Sequence, residues 1–219
     1  FPGTKALSQL IGGLGINNQK HVVIVYGGVS SLDFGSAARV YWTFKTIGHE
    51  NVSILNGGFK GWKNSGNKVV SGENNLSPAK FKTKLNKKYY ASFSEVQKAQ
   101  KGKGSQCLID ARPAAFFTGD KKHAKARIPG RLANARNLQE GNLIDGGFKI
   151  KSSSEIKSQF GGLEGVEKYK GYISYCNTGH WAATVWFGLS EIAQIPNVKM
   201  YDGGMTHWTY DPKRKVDLS

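Results

Sequence analysis

Tyr172-Ile173-Ser174-Tyr175-Cys176-Asn177-Thr178-Gly179-His180-Trp181-Ala182-Ala183 passes from an apolar run into a short polar turn and then into helical spacing that continues to Ile192. That change of period predicts a buried strand, a tight loop and a helix. A cysteine at the mouth of such a turn sits where backbone N–H groups converge and where the positive end of the helix dipole points. Those donors favour the thiolate, the nucleophilic form, and placement of this kind lowers a cysteine pKa by about one to two units. Sulfur or acyl chemistry at Cys176 is the first expectation. Cys107 reads differently: Cys107-Leu108-Ile109-Asp110 is a buried strand, in which a free cysteine behaves as a small hydrophobe.

Working outward, the chain repeats itself. Asn51-Val52-Ser53-Ile54-Leu55-Asn56-Gly57-Gly58-Phe59-Lys60-Gly61-Trp62 matches Asn197 to Trp208 at an offset of 146, with Asn, Val, Gly, Gly and Trp in common. Val22 to Tyr26 lies against Tyr172 to Cys176 at 150, and Ala37-Ala38 against Ala182-Ala183 at 145. Each half reads helix, strand, loop, helix, strand, Gly-Gly turn and a short helix bearing a Trp. The alternation predicts an α/β fold of two similar domains, each a mainly parallel sheet with helices on both faces. Strands are expected near 22–26, 52–55, 107–110, 172–175 and 198–201. Helices are expected near 5–14, 35–47, 93–100, 154–160 and 180–193. Residues 71–88, with Gly72, Pro78 and several Lys, read as a linker between segments 1–70 and 89–219. Residues 89–152 have no counterpart ahead of Phe1, so the first domain is expected to be incomplete at its N-terminus, its opening residues missing. Tyr26 stands where Cys176 stands, and the shift in offset makes the first loop five residues longer. The first half is expected to be a scaffold. Trp62 and Trp208, repeated in both halves, are expected to be core residues.

Thirty-one Lys and Arg against fifteen Asp and Glu give a net charge of +16. Such a balance attracts anions, whether small oxyanions, acidic proteins, lipid or nucleic acid. The basic residues are spread along the chain and no nucleic-acid signature accompanies them, so specific nucleic-acid binding is not expected. No apolar run is long enough for a membrane span. The five His and two Cys are scattered, so neither a metal site nor another cofactor is expected. Compartment is open, with a lean towards export.

With these motifs in order, the chain resembles the two-domain rhodaneses, the thiosulfate and mercaptopyruvate sulfurtransferases. The resemblance rests on Asp110-Ala111-Arg112, Ile128-Pro129-Gly130, Cys176-x-x-Gly179-x-x-Ala182 and Asp202-Gly203-Gly204-x-x-x-Trp208. It implies that Cys176 accepts a sulfane sulfur as a persulfide and passes it to a thiophile. Asn177, Thr178, Gly179, His180, Trp181 and Ala182 then form the substrate-binding cradle, in a cleft between the domains. The chain departs from the family's thiosulfate-type loops, which carry basic residues, and from its Gly-Ser mercaptopyruvate loops. The donor stays open on that ground.

Such transfer needs an electropositive mouth. Arg112, Arg127 and Arg131, flanking the turns after strands in the second half, are the candidates, since Arg suits an oxyanion. The expected partners are a small anionic sulfur donor and a thiophilic acceptor, a small molecule or a protein thiol. Two other readings compete. One is a sulfur carrier loaded and unloaded by partner proteins. The other is a cysteine phosphatase, which needs an Arg at the far end of the loop, where Trp181-Ala182-Ala183-Thr184 has none.

Overall fold

In the computed structural model, residues 2–74 and 76–218 are described. Phe1, Asn75 and Ser219, which fall in the expected first segment, linker and second segment, lie outside them. The chain begins with α1 (Thr4–Gly13), β1 (Val22–Ile24), α2 (Ser31–Thr46), β2 (Val52–Ile54) and α3 (Gly58–Asn64). The second half runs α4 (Phe93–Gln100), β3 (Gln106–Asp110), α5 (Ala114–Thr118), β4 (Arg136–Asn137) and α6 (Ser153–Gly161). It ends with β5 (Gly171–Tyr175), α7 (His180–Phe187), β6 (Val198–Met200) and α8 (Gly204–Trp208). A wider-wound π turn, Gly188–Ile192, prolongs α7, so the expected single helix to 193 is two windings joined end to end.

Two parallel sheets result. β1 pairs with β2, and the second sheet has the order β4-β3-β5-β6. β5 lies in the middle with all five residues buried. Alternation along the central strands sends side chains to opposite faces. Leu108, Ile173 and Tyr175 meet Val96 of α4 and Trp208 of α8 on one face. Cys107, Ile109 and Tyr172 meet Ile156 of α6 and Val185 of α7 on the other. Two serine capping boxes, Ser92 with Glu95 and Ser152 with Glu155, start α4 and α6.

The halves join through α2 and α7. Phe34 and Tyr41 of α2 meet Phe187 edge-on, with ring centroids 5.8 and 4.9 Å apart. Gly35 permits the close crossing: a Cβ there would lie 3.1 Å from the His180 carbonyl oxygen and 3.2 Å from Thr184 Oγ1. The chain between the halves is strapped down rather than loose. Ala79 N–H donates to Gly12 O, Lys84 N–H to Ile47 O, and Ala91 N–H to Met200 O. Phe81 of this strap is buried at 4% exposure.

Two expectations need correction here. α2 starts at Ser31 rather than 35, because Ser30 caps it by accepting the Asp33 N–H. The first loop therefore spans six residues between β1 and α2 against four between β5 and α7, an excess of two rather than five. Trp208 is buried at 2% exposure, but Trp62 is 41% exposed. Trp208 is covered by Phe93 of α4. Trp62 instead shares an open apolar face with Val23, Val25, Phe59 and Val70.

Candidate active site

Cys176 comes directly after β5, and its Sγ accepts the Gly179 N–H at 3.0 Å. The amides of Thr178 and Ala182 act on the same sulfur. Gly179 turns the loop with φ +106°, a left-handed value that glycine adopts without a steric penalty. The first turn of α7 follows immediately, so its unsatisfied N–H groups contribute to the cradle. α8 holds the carbonyl side of the loop. Met205 N–H donates to Cys176 O at 2.8 Å, and Thr206 Oγ1 donates to Asn177 O at 3.0 Å. A Cβ on Gly204 would collide with both carbonyls, which accounts for the second glycine of the Gly-Gly turn.

Cys176 is 1% exposed but lines a cavity of about 260 Å³. Thr178, His180 and Trp181 wall it on the loop side, His123 on another, and Leu32 and Ser36 of α2 close it from the first half. A larger groove of about 520 Å³ between Gly48 and Lys87 lies away from any cysteine. Among the described residues, no group of three or more His, Cys, Asp or Glu could hold a metal ion, and no helix is long and apolar enough to cross a membrane.

Electrostatics reverse one expectation. Burial pushes the Cys176 thiol above its ordinary range, the amides of Ala182, Gly179 and Thr178 offset this only partly, and Asp110 adds to the rise. Desolvation of the anion outweighs the donors, so the expected lowering is not found. His180 is pushed down by burial and by Arg39, and is neutral at neutral pH. Cys107 is pushed up to about 11 by burial, in keeping with an inert strand residue.

The three arginines separate. Arg112 is 2% exposed, and its Nε and Nη2 grip the Asp110 carboxylate at 2.6–3.1 Å. Nη2 also donates to Gly130 O at 2.9 Å, and Nη1 reaches Asn177 Oδ1 at 3.4 Å. It braces the loop from below. Arg127 is exposed and stacks on Tyr210, and Arg131 lies over Phe117. Neither lines the cavity. Asn177 and Ala182 are buried within the loop, and Trp181, half-buried, meets Phe116 edge-on at 5.7 Å.

A rhodanese-like domain model matches residues 3–65 and 92–211, the two stretches that carry the repeat. The chain belongs to the rhodanese-like family. It is 32% identical over 213 residues to the thiosulfate sulfurtransferase of Bos taurus, covering 95% of this chain and 69% of that protein. It is 32% identical over 196 residues to the 3-mercaptopyruvate sulfurtransferase of Escherichia coli, covering 89% and 67%. The structure of SseA from Escherichia coli superposes with a TM-score of 0.80 at 29% identity, over 93% of this chain and 74% of that one. A variant of EanB in complex with ergothioneine shares the fold, with a TM-score of 0.88 at 18% identity, and the chain spans 55% of its length. On these relatives this rhodanese-like chain is a sulfurtransferase enzyme.

The first rhodanese-like half keeps the frame of the site with Tyr26 in the place of Cys176. Phe59 N–H donates to Tyr26 O at 2.7 Å, just as Met205 does to Cys176 O. Tyr26 replaces the sulfur, and its hydroxyl accepts the Gly57 N–H while donating to Phe148 O. The amides of Gly28 and Val29 donate to Asp33 Oδ2 at 2.7 and 3.2 Å. The loop's anion-binding groups are spent on a carboxylate of its own.

Proposed function

We propose that this chain moves a sulfane sulfur from an anionic donor to a thiophilic acceptor through a persulfide on Cys176. The observation that carries the reading is a sulfur ringed by main-chain donors at the floor of a cavity. In the first step the Cys176 thiolate attacks the outer sulfur of a donor such as thiosulfate. The donor's S–S bond breaks, and sulfite leaves with the bonding electrons. The new terminal sulfur carries the negative charge and is met by the amides of Thr178, Gly179 and Ala182, which need no reorganisation to receive it. A thiophile then takes that sulfur and returns the thiolate.

Under this reading residues 89–219 hold the chemistry, residues 1–70 close the cavity from α2, and 71–88 join the two. His180, neutral, and Trp181 shape the cavity wall, while Asn177 and Arg112 fix the loop. Arg127 and Arg131, outside the cavity, are left with attraction of the donor across solvent, which salt screens. A bidentate clamp for a phosphoryl group is absent from the cavity lining, which favours sulfur over phosphate transfer.

The test is mass spectrometry of the intact chain after incubation with thiosulfate or 3-mercaptopyruvate. One added sulfur on the peptide containing Cys176, removed by cyanide, is expected, and none on Cys176→Ser. Failure of both donors to load Cys176 would overturn the reading.

A further inference from the structure

Arg39 stands at the cradle although it belongs to α2, in the half without chemistry. Its Nη2 forms an ion pair with Asp202, two residues beyond β6. Its guanidinium lies over the Trp42 ring, 4.9 Å from the centroid. A Cβ built on Gly179 would land on Arg39 Nη1. Gly179 is the residue whose N–H meets Cys176 Sγ. The guanidinium and the sulfur thus both meet Gly179.

We propose that Arg39 is the resident positive charge and positioning residue of the Cys176 cradle, lent by the noncatalytic half to seat loop 176–182 and hold the sulfur anion. This rests on reading Cys176 as the sulfur-carrying residue.

The contrast with Arg112 separates a charge held for an anion from a purely structural brace. Arg112 has every guanidinium nitrogen engaged, two of them on Asp110. Arg39 Nη1 is buried with no hydrogen-bond partner. A buried unsatisfied donor is costly, more so on a charged group, so a structural arginine would be expected to use it. Here the missing acceptor is the negative charge that the reaction creates next door. Arg39 remains a cation throughout the working range. Burial pushes its pKa down, and the neighbouring Cys176 works in the opposite direction. Of the other charged groups around the sulfur, Arg112 has all its nitrogens taken up by Asp110, Gly130 and Asn177, and burial and Arg39 push His180 towards its neutral form. Asp202 opposes the cation, but it sits on the Nη2 side.

The test compares wild type, Arg39→Met and Arg39→Lys in the full chain, following iodoacetamide alkylation of the Cys176 peptide from about pH 6 to about pH 11.5, a range that reaches past a raised thiol, beside thermal melting. Arg39→Met is expected to raise the midpoint of the profile by about one pH unit and slow alkylation at pH 7.5 about tenfold, as loss of one nearby opposite charge does. The plateau rate at high pH should hold, and Arg39→Lys should restore most of the midpoint. An unmoved midpoint with a lower melting temperature would reduce Arg39 to a structural role and overturn the proposal. Faster alkylation, from an opened loop, would do the same. Asp202→Asn gives a second arm should Arg39→Met fail to fold: removing the competing negative charge is expected to lower the midpoint, and an unmoved or raised one counts against the proposal. Sulfur loading of the wild type is scored separately. Its absence would overturn sulfur transfer while the alkylation midpoint still judges Arg39.

Discussion

At the scale of single residues, the site depends on two atoms that sequence cannot weigh together. The convergence of donors on Cys176 is legible from a strand, a glycine and a helix start in succession. The cost of burying the anion is not, because desolvation depends on what the rest of the chain places over the sulfur. Arg39 was out of reach for the same reason, since nothing in its neighbourhood Ala37-Ala38-Arg39-Val40 advertises a contact with a loop in the other half. Gly179 exposes this dependence. Any L-residue there meets a left-handed φ of +106° and then Arg39 Nη1. Gly179→Ala is expected to cost about 1–3 kcal/mol of stability through backbone strain. It should slow sulfur loading of Cys176 by about a hundredfold or more, because the 3.0 Å amide contact is lost with the turn. Parallel melting curves and loading rates check both parts. Loading at the wild-type rate would show that the Gly179 amide is dispensable.

Elements were read well where the hydrophobic period was long and poorly where it was short. α4 and β5 fall where alternation and helical spacing put them, within a residue. β4, only Arg136–Asn137, is too brief to show a period in the sequence. The early start of α2 is written in Ser30-Ser31-Leu32-Asp33, where Ser30 accepts the Asp33 N–H. Pairing of α2 with α7 follows from neither helix alone, because it is made by their shapes at Gly35 and by three aromatic rings. Phe34 is fully buried and meets Tyr26 at 5.4 Å and Phe187 at 5.8 Å, both edge-on. Phe34→Ala should therefore cost about 3–5 kcal/mol, the range for a fully buried aromatic. Because α2 also carries Leu32, Ser36 and Arg39, the same change is expected to loosen the cavity wall. Denaturant unfolding and the alkylation rate of Cys176 measure the two effects. A loss under 1 kcal/mol would mean that the α2–α7 seam repacks freely.

Across the whole molecule, the two halves are bound by a carboxyl group as well as by apolar contacts, and this makes their union sensitive to pH. Glu140, 6% exposed, follows β4 in the second half, and its Oε1 accepts a hydrogen bond from Ser31 Oγ of α2 at 2.9 Å. Its Oε2 is buried without a partner. Burial pushes this carboxyl above the usual carboxylate range, and the Ser31 bond offsets only part of the rise. A carboxyl raised in the folded state binds its proton more tightly there than in the unfolded chain. The stability it contributes is complete below the ordinary carboxylate pKa and is lost as pH rises through the folded value. At neutral pH, where the unfolded carboxyl is ionised, the folded protein thus carries the cost of a buried carboxyl whose charge is disfavoured. Glu140→Gln retains an oxygen for Ser31 and removes that charge, so it is expected to stabilise the chain by about 1–2 kcal/mol at pH 7. The advantage should shrink towards zero as pH falls to about 4, where the unfolded carboxyl is itself becoming protonated. Melting temperatures of both forms between pH 4 and 8 decide it. A gap that stays constant with pH would show that the carboxyl titrates alike in both states, and a destabilised Gln form at pH 7 would show that the charge is wanted where it sits.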